Sequence, residues 1–427
     1  MAARRPALLR ALRHRNYRLF FGGQSLSLAG TWITRIATSW LVYRLTGSAL
    51  VLGIVGFCGQ IPTLFLAPVA GVFVDRWDRR RVLLVTQILS LLQSLALGVL
   101  TLLGIITVAE VLALQVVQGI INAFDTPARQ AFVVHMIEDR ADLPNAIALN
   151  SSMVNGSRIV GPSVGGLIIA AVGEGWCFML DALSYLAVIS SLLAMRMEPA
   201  APSGRPATRT GEELKVGFRY VTQFVPVRTL LLLLALVSTM GMPYTVLMPA
   251  IATRVLHGGA HSLGFLMGAT GVGALAAALY LASRHTVIGL GRAIAAAVIT
   301  FGGGLIAFGF SRSFLLSLAI LPVVGAAFML ALAATNTIVQ TIVAEELRGR
   351  VMAFYAMAFL GTAPIGSLLA GVLADRIGAP ATIRLGGAAC IAGGIAFAFR
   401  LPRLRAVIRP IYARQGIIPL PAADAGA

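Results

Sequence analysis

Charge is scarce in this chain. Asp, Glu, Lys and Arg make up 12% of its 427 residues, where a soluble protein of this length would carry about twice that fraction. Acids are scarcer still, 16 against 34 basic residues, and Lys215 is the only lysine. The three cysteines, Cys58, Cys177 and Cys390, stand far apart in or beside apolar segments, which excludes metal or redox spacing and leaves packing. His257 and His261 are four residues apart but have no third ligand nearby, so no metal site is expected. Gly268-Ala269-Thr270-Gly271-Val272-Gly273 has no strand pattern before it and no Lys-Ser/Thr after it, so it reads as helix packing and not as a phosphate loop. No catalytic constellation or cofactor motif is evident. A net charge of +18 invites a nucleic-acid reading, but no domain-sized basic surface remains outside the apolar segments, and no nucleic-acid partner is expected.

Apolar residues are abundant, 58% of the chain. They form runs longer than the ~18 residues that mark a membrane span. In hydrocarbon only helices or a closed barrel satisfy the backbone, and these runs are too long and too continuous for barrel strands. The expected fold class is therefore an all-α polytopic membrane protein with twelve transmembrane helices. The spans are placed at 17–43, 51–73, 82–103, 108–132, 145–172, 176–195, 229–255, 262–283, 293–310, 314–343, 351–374 and 381–399. Thr46-Gly47-Ser48 turns the chain between the first two, with Ser48 placed to cap the second. A Pro-, Gly-, Ser- and Arg-rich stretch separates six spans from six. The expected domains are a six-helix bundle at 1–196, a central loop at 197–228 with an amphipathic piece near 212–224, a second bundle at 229–401, and a basic, then featureless tail at 402–427.

With both ends on one side of the membrane, 27 basic residues fall on that side. Five fall on the other: Arg44, Arg254, Arg312, Arg376 and Arg384. That asymmetry places both termini in the cytoplasm. The halves repeat weakly, since Gln130 and Gln340 are each followed by an acidic pair and an arginine before a Gly- and Pro-bearing span. Six plus six spans with related halves is the layout of rocking transporters.

Three places can carry function. The first is Gly71-Val72-Phe73-Val74-Asp75-Arg76-Trp77-Asp78-Arg79-Arg80-Arg81, between spans 2 and 3. An acid there can sit at the N-terminus of span 11, which starts on the same side, where the helix dipole favours it. Asp75 is the candidate and Arg129 a second partner; alternatively the charges only hold topology. The second is span 5, with Gly156, Arg158, Gly161, Pro162, Gly165 and Gly166. Gly161 and Gly165 form a small-residue face and Pro162 removes a backbone donor, which serves either a functional bend or ordinary packing. The third is the set of charges inside spans: Arg35, Asp125, Asp181 and Arg158, with Glu110 near the outer end of span 4. An unpaired charge at a helix centre costs about 2.5–3.5 kcal/mol, so each pairs or faces water. These charges serve either helix packing or proton coupling and substrate contact; Asp181 is read as structural, and Glu110 can titrate.

The Gly, Asp-Arg and Arg-Arg pattern of 71–81 resembles the loop signature of the major facilitator superfamily, and 156–166 resembles the span-5 motif of its exporters. Asn16-Tyr17-Arg18-Leu19-Phe20, Leu45-Thr46-Gly47-Ser48-Ala49, Thr126-Pro127-Ala128-Arg129-Gln130-Ala131-Phe132, Asn145-Ala146-Ile147-Ala148-Leu149-Asn150 and Asp181-Ala182-Leu183-Ser184-Tyr185 resemble one branch of it. That branch holds the enterobactin-exporter-like and macrolide-efflux-like bacterial proteins. The resemblance implies two six-helix bundles, a gating role for Gly71, Asp75, Arg76, Arg79 and Arg80, Arg35 and Asp125 as the transport candidates, and export by alternating access. The expected protein is a monomeric, multi-pass exporter in a bacterial inner membrane. It would move a small amphipathic, drug- or siderophore-like molecule outward against protons, with no cofactor and no catalysis. The competing readings are a lysophospholipid or lipid flippase of the same fold and a transport-inactive sensor or scaffold.

Overall fold

Backbone groups in hydrocarbon must bond within their own segment, and each expected span is helical in a computed structural model of the chain. The structure describes residues 7–137, 139–196, 210–284 and 286–418, without the side chains of 7–9, 67, 68, 72, 75, 134, 140 and 210–214. After a 3-10 turn at Ala7–Arg13 come α1 (Arg15–Thr46), α2 (Ala49–Arg76), α3 (Arg79–Leu102), α4 (Val108–His135), α5 (Leu143–Val172) and α6 (Glu174–Ala194). There follow α7 (Thr210–Gln223), α8 (Val225–Leu236), α9 (Tyr244–Ala250), α10 (Ala260–Ala282), α11 (Leu290–Phe310) and α12 (Phe314–Ile342). The last three are α13 (Glu345–Ala356), α14 (Ala363–Ile377) and α15 (Ala379–Arg414).

Among the described residues ten segments are long and apolar enough to cross a membrane, with α8 and α9 forming one of them and α13 and α14 another. The two remaining spans, α1 and α5, are 32 and 30 residues long and carry Arg35 and Arg158 in mid-helix. By their contacts the residues group into two units: Met1–Gly204 with Val246–Gly271, and Arg205–Thr245 with Val272–Ala427.

In the first unit the turn between α1 and α2 follows its sequence. Gly47 takes the left-handed conformation (φ 60°) that closes α1, and Ser48 Oγ accepts from the Val51 N–H at 3.4 Å to open α2. The core at the Arg79 end of α3 packs Tyr17, Phe20, Leu83, Phe132, Met136 and Leu192 together. At Gly166 of α5 an added Cβ would stand 2.8 Å from Gly264 Cα on α10, so these two helices approach backbone to backbone. Pro162 has no N–H to give the Arg158 carbonyl, its partner in an unbroken helix. That carbonyl lies where Gly271 leaves room, 2.9 Å from a would-be Cβ.

The second unit departs from the sequence expectation in two ways. Spans 7 and 11 are not continuous α-helices: within this unit each contains a π-helical turn, Val237–Gly241 and Met357–Gly361, and the part of span 7 that belongs to the first unit has another at Ile251–Val255. Pro243 and Pro364 follow the first two, and each withholds a backbone donor from the preceding turn. Those turns bond to each other, the Ser238 hydroxyl donating to the Phe359 carbonyl at 2.5 Å. The basic part of the tail is helical, and residues 419–427 lie outside the described residues. The last helix runs through Pro402 and Pro410 to Arg414, and Gln415 Nε2 donates to the Thr341 carbonyl at 2.8 Å. The expected amphipathic piece is α7, whose Phe218 ring lies 6.1 Å from that of Phe354 on α13.

Gly166→Val should lower the melting temperature of the detergent-purified protein, because overpacking of this kind costs about 1–3 kcal/mol. Gly156→Ala should leave it unchanged, since an added Cβ there meets nothing within 4 Å. Equal melting of both variants would contradict the close approach.

Candidate functional site

One face of α3 is polar and buried: Thr86, Gln87, Ser90, Gln93 and Ser94 are each at most 5% exposed. Their spacing puts them on one side of a 3.6-residue helix, turned into the bundle and away from lipid. At one end stands Asp125 of α4, itself 7% exposed. Gln87 Nε2 donates to Asp125 Oδ1 at 2.8 Å, and the Thr86 hydroxyl lies 3.1 Å from the same oxygen. Arg129, one turn along α4, pairs with Asp125 Oδ2 at 3.4 Å.

At the other end stands Asp181 of α6, 1% exposed. Ser94 donates to Asp181 Oδ2 at 2.8 Å, and the Ser184 hydroxyl lies 3.4 Å from Oδ1. Gly30 of α1 makes room for this carboxyl, since a Cβ there would stand 2.6 Å from Oδ1. Among the described residues no cation pairs with Asp181. Tyr185, one turn along α6, is the nearby titratable group. Between the two acids Gln118 Nε2 lies 3.4 Å from Ser90 Oγ and donates to Asn122 Oδ1 at 3.1 Å. Gln93 Nε2 donates to the Leu114 carbonyl at 3.3 Å. Gln87 Oε1 and Gln118 Oε1 are buried without a protein partner; such atoms are normally satisfied by ordered water.

The other sequence candidates fall in different places. Glu110 is engaged locally: its Oε2 accepts from the Thr107 N–H at 2.5 Å and the Thr107 hydroxyl at 2.6 Å, a capping box at the start of α4. Arg35 and Arg158 lie against one ring, their Cζ atoms 5.1 and 5.5 Å from the Trp32 centroid. Of the span-5 motif, Gly161 faces Trp32 and Ala29, Gly165 faces Ile33, and Pro162 lies beside Gly264.

Asp75 belongs to the last turn of α2, and its side chain lies outside the described residues. Gly71 has open space around its Cβ direction, and Arg76 is exposed. The arginines that follow have specific partners. Asp78 caps α3 by accepting from the Arg80 and Arg81 N–H groups. Arg79 meets the His135 ring at 2.9 Å. Arg80 Nε and Nη2 donate to the Leu192 and Leu193 carbonyls at 2.9 and 3.2 Å, closing the C-terminus of α6.

A model of the family described as "Transmembrane secretion effector" matches residues 7–412. The chain belongs to that family. Among curated relatives, it is 27% identical to the staphyloferrin A transporter of Staphylococcus aureus, over 89% of this chain and 95% of that one. It is 30% identical to the multidrug efflux pump Tap of Mycolicibacterium fortuitum, over 88% and 93%. Among solved structures, a POT family transporter in complex with a thioalcohol conjugated peptide aligns with TM-score 0.72 at 10% identity, over 91% and 96%. A bacterial homologue of the human lysosomal transporter Spinster aligns with TM-score 0.64 at 15% identity, over 98% and 100%. The fold of this secretion-effector family member is thus the twelve-helix fold of the major facilitator transporters, and the protein is a multi-pass membrane transporter and not an enzyme.

Two of the stretches that resemble one branch of these transporters, 16–20 and 145–150, meet in space. The Tyr17 hydroxyl donates to the Ala146 carbonyl at 2.8 Å, and Asn16 exchanges hydrogen bonds with the Arg196 backbone. The Ala11 N–H donates to Asn145 Oδ1 at 2.9 Å. The arm before α1 is fastened by Arg13, 2.7 Å from both Asp139 and Asp142, and by His14, 3.1 Å from Asp142. Asp139 is held below the usual carboxylate range by the Ala141 N–H and then by Arg13. Its contribution is therefore present above the ordinary carboxylate pKa and is lost only as pH falls through the lowered value.

Sequence reasoning missed Trp32 and Ser94. The helical spacing of Thr86, Gln87, Ser90, Gln93 and Ser94 in an otherwise apolar span was the available signal. Arg80→Gln should speed amide hydrogen exchange in the last turn of α6, because each lost hydrogen bond removes about 0.5–1.5 kcal/mol. Arg81→Gln, whose guanidinium pairs with Asp78 and with no α6 carbonyl among the described residues, should not; equal exchange in both variants would remove the cap.

Proposed function

We propose that this transporter exports a small amphipathic organic molecule across a bacterial inner membrane, with both termini cytoplasmic, and that protons move inward through its first unit. The observation that carries the proton half is the polar face of α3, running from Asp125 to Asp181. Gln87 and Ser94 are seven residues apart, about 10 Å along the helix axis at 1.5 Å per residue. Hydroxyls and amides fill that distance. A lone carboxylate in hydrocarbon is costly, so Asp181, with hydroxyl partners and no cation, is the group that carries the proton. Asp125 passes it to the end where Arg129 stands and where charge is balanced. This reverses the ranking expected from sequence, which put Asp125 first and made Asp181 structural. Glu110 drops out because its capping bonds keep it occupied.

Outward transport of drug- or siderophore-like molecules is supported by the relatives, a multidrug efflux pump and a staphyloferrin transporter. The six-plus-six division of the chain, the monomeric state and gating by Gly71, Asp75 and Arg76 belong to the same reading.

In proteoliposomes with a pH-sensitive dye inside, a panel of fluorescent drugs should drive proton movement by the wild-type protein. Asp181→Asn and Asp125→Asn should each reduce it at least tenfold, while Glu110→Gln retains it. Full proton movement in both Asn variants would remove the coupling path from α3. Asp75→Asn should give a correctly inserted transporter with slow turnover; wild-type turnover would remove the gate.

A further inference from the structure

Arg35 and Arg158 stand near the middle of α1 and α5, 20 and 15 residues from the first residues of those helices. Both guanidiniums lie within 6 Å of the Trp32 ring centroid. Trp32 is held from behind by α5, where Gly161 leaves no room for a side chain. The charged group that acts on Arg35 is Arg158, of the same sign, and no acid pairs with Arg35 among the described residues. The Arg35 side chain is exposed and Trp32 is half-buried. Exposure of a guanidinium to lipid at mid-helix would be strongly unfavourable, so the exposed face is turned to water. Arg35 therefore has a like charge beside it and no acid paired to it among the described residues, and an anion bound at the indole would relieve that repulsion. Guanidiniums bind carboxylate and phosphate oxygens through paired N–H donors, and the indole offers an apolar face beside them.

We infer that Arg35, Trp32 and Arg158 form a binding site for an organic anion, a carboxylate or phosphate oxygen group carried on an apolar or aromatic body. This rests on the reading of the chain as a transporter and names the substrate chemistry that its first unit selects. The indole contributes contact with the body of the ligand and the arginines contribute its sign. A cationic amphiphile is disfavoured at the same place. The anion comes either from a soluble substrate or from a lipid headgroup.

The test uses the full-length protein in nanodiscs of phosphatidylcholine and three probes of nearly one shape: 2-naphthoate, neutral 2-naphthamide and cationic 2-naphthylmethylammonium. Equilibrium binding is read by calorimetry and requires no transport. The site predicts that 2-naphthoate binds at least tenfold tighter than the amide and that its affinity falls with added salt. Arg35→Gln and Arg158→Gln should each remove tenfold or more of the naphthoate affinity, and Arg35→Lys should restore part of it. Gel filtration and unchanged amide binding separate loss of the site from loss of the fold. Equal affinity for the three probes, no binding of 2-naphthoate, or wild-type naphthoate affinity in both Gln variants would overturn the site, while the drug-driven assays judge transport by themselves. In nanodiscs containing phosphatidylglycerol, weaker naphthoate binding supports the site and assigns the anion to a lipid headgroup. Unchanged binding supports the site and assigns it to a soluble substrate.

Discussion

A polar group that enters hydrocarbon has to be satisfied by the protein, and the first unit is arranged around that requirement. The two acids buried well inside its spans are not scattered. Asp125 and Asp181 stand at the two ends of one polar face on α3, and every element around them supplies something: Ser184 a hydroxyl, Gly30 space, Gln118 an amide. The same requirement governs the ends of the helices. Arg80 covers the last carbonyls of α6 and Glu110 the first amides of α4, so charges that look alike in sequence are divided between holding helix ends and lining the interior.

The second unit meets the requirement differently. Its helices hold no acid deep in a span, and its departures from regularity are in the backbone. Prolines near two π-helical turns withhold donors, and the turns answer with Ser238 donating to the Phe359 carbonyl. Aromatic rings fill the space beside them, Tyr244, Phe301, Phe328 and Phe359 standing in a row with centroids 5.5–6.2 Å apart. The acids buried inside spans thus belong to the first unit, whereas two of the three π-helical turns among the described residues belong to the second.

Much of the fold was legible because hydropathy is a property of a segment, independent of what lies beside it. The twelve spans, the Gly47-Ser48 turn, the amphipathic α7 and the small-residue face of α5 all follow from local composition and spacing. The π turns were not legible, since a proline in a membrane helix is compatible with a kink, a wide turn or a plain helix until its neighbours are known. The helical continuation to Arg414 was not expected, because the hydropathy that marks a span ends near Phe399 and Pro402 and Pro410 lie inside the continuation. In the candidate site, Asp125 and Asp181 were visible as charges in apolar surroundings, but their partners lie on other helices. Asp181 and Ser94 are 87 positions apart.

The residues alone determined that this chain crosses a membrane many times, which of its stretches resemble a transporter, and which few charges had to be accounted for inside the bilayer. Only tertiary packing decided what each charge does. It put Arg35 and Arg158 on one indole, gave Glu110 to a helix end, and joined Asp125 and Asp181 through a polar face of α3. The reason is physical: the energy of a buried charge is set by the groups within a few ångströms of it, and in a helical bundle those groups come from segments far away in the chain.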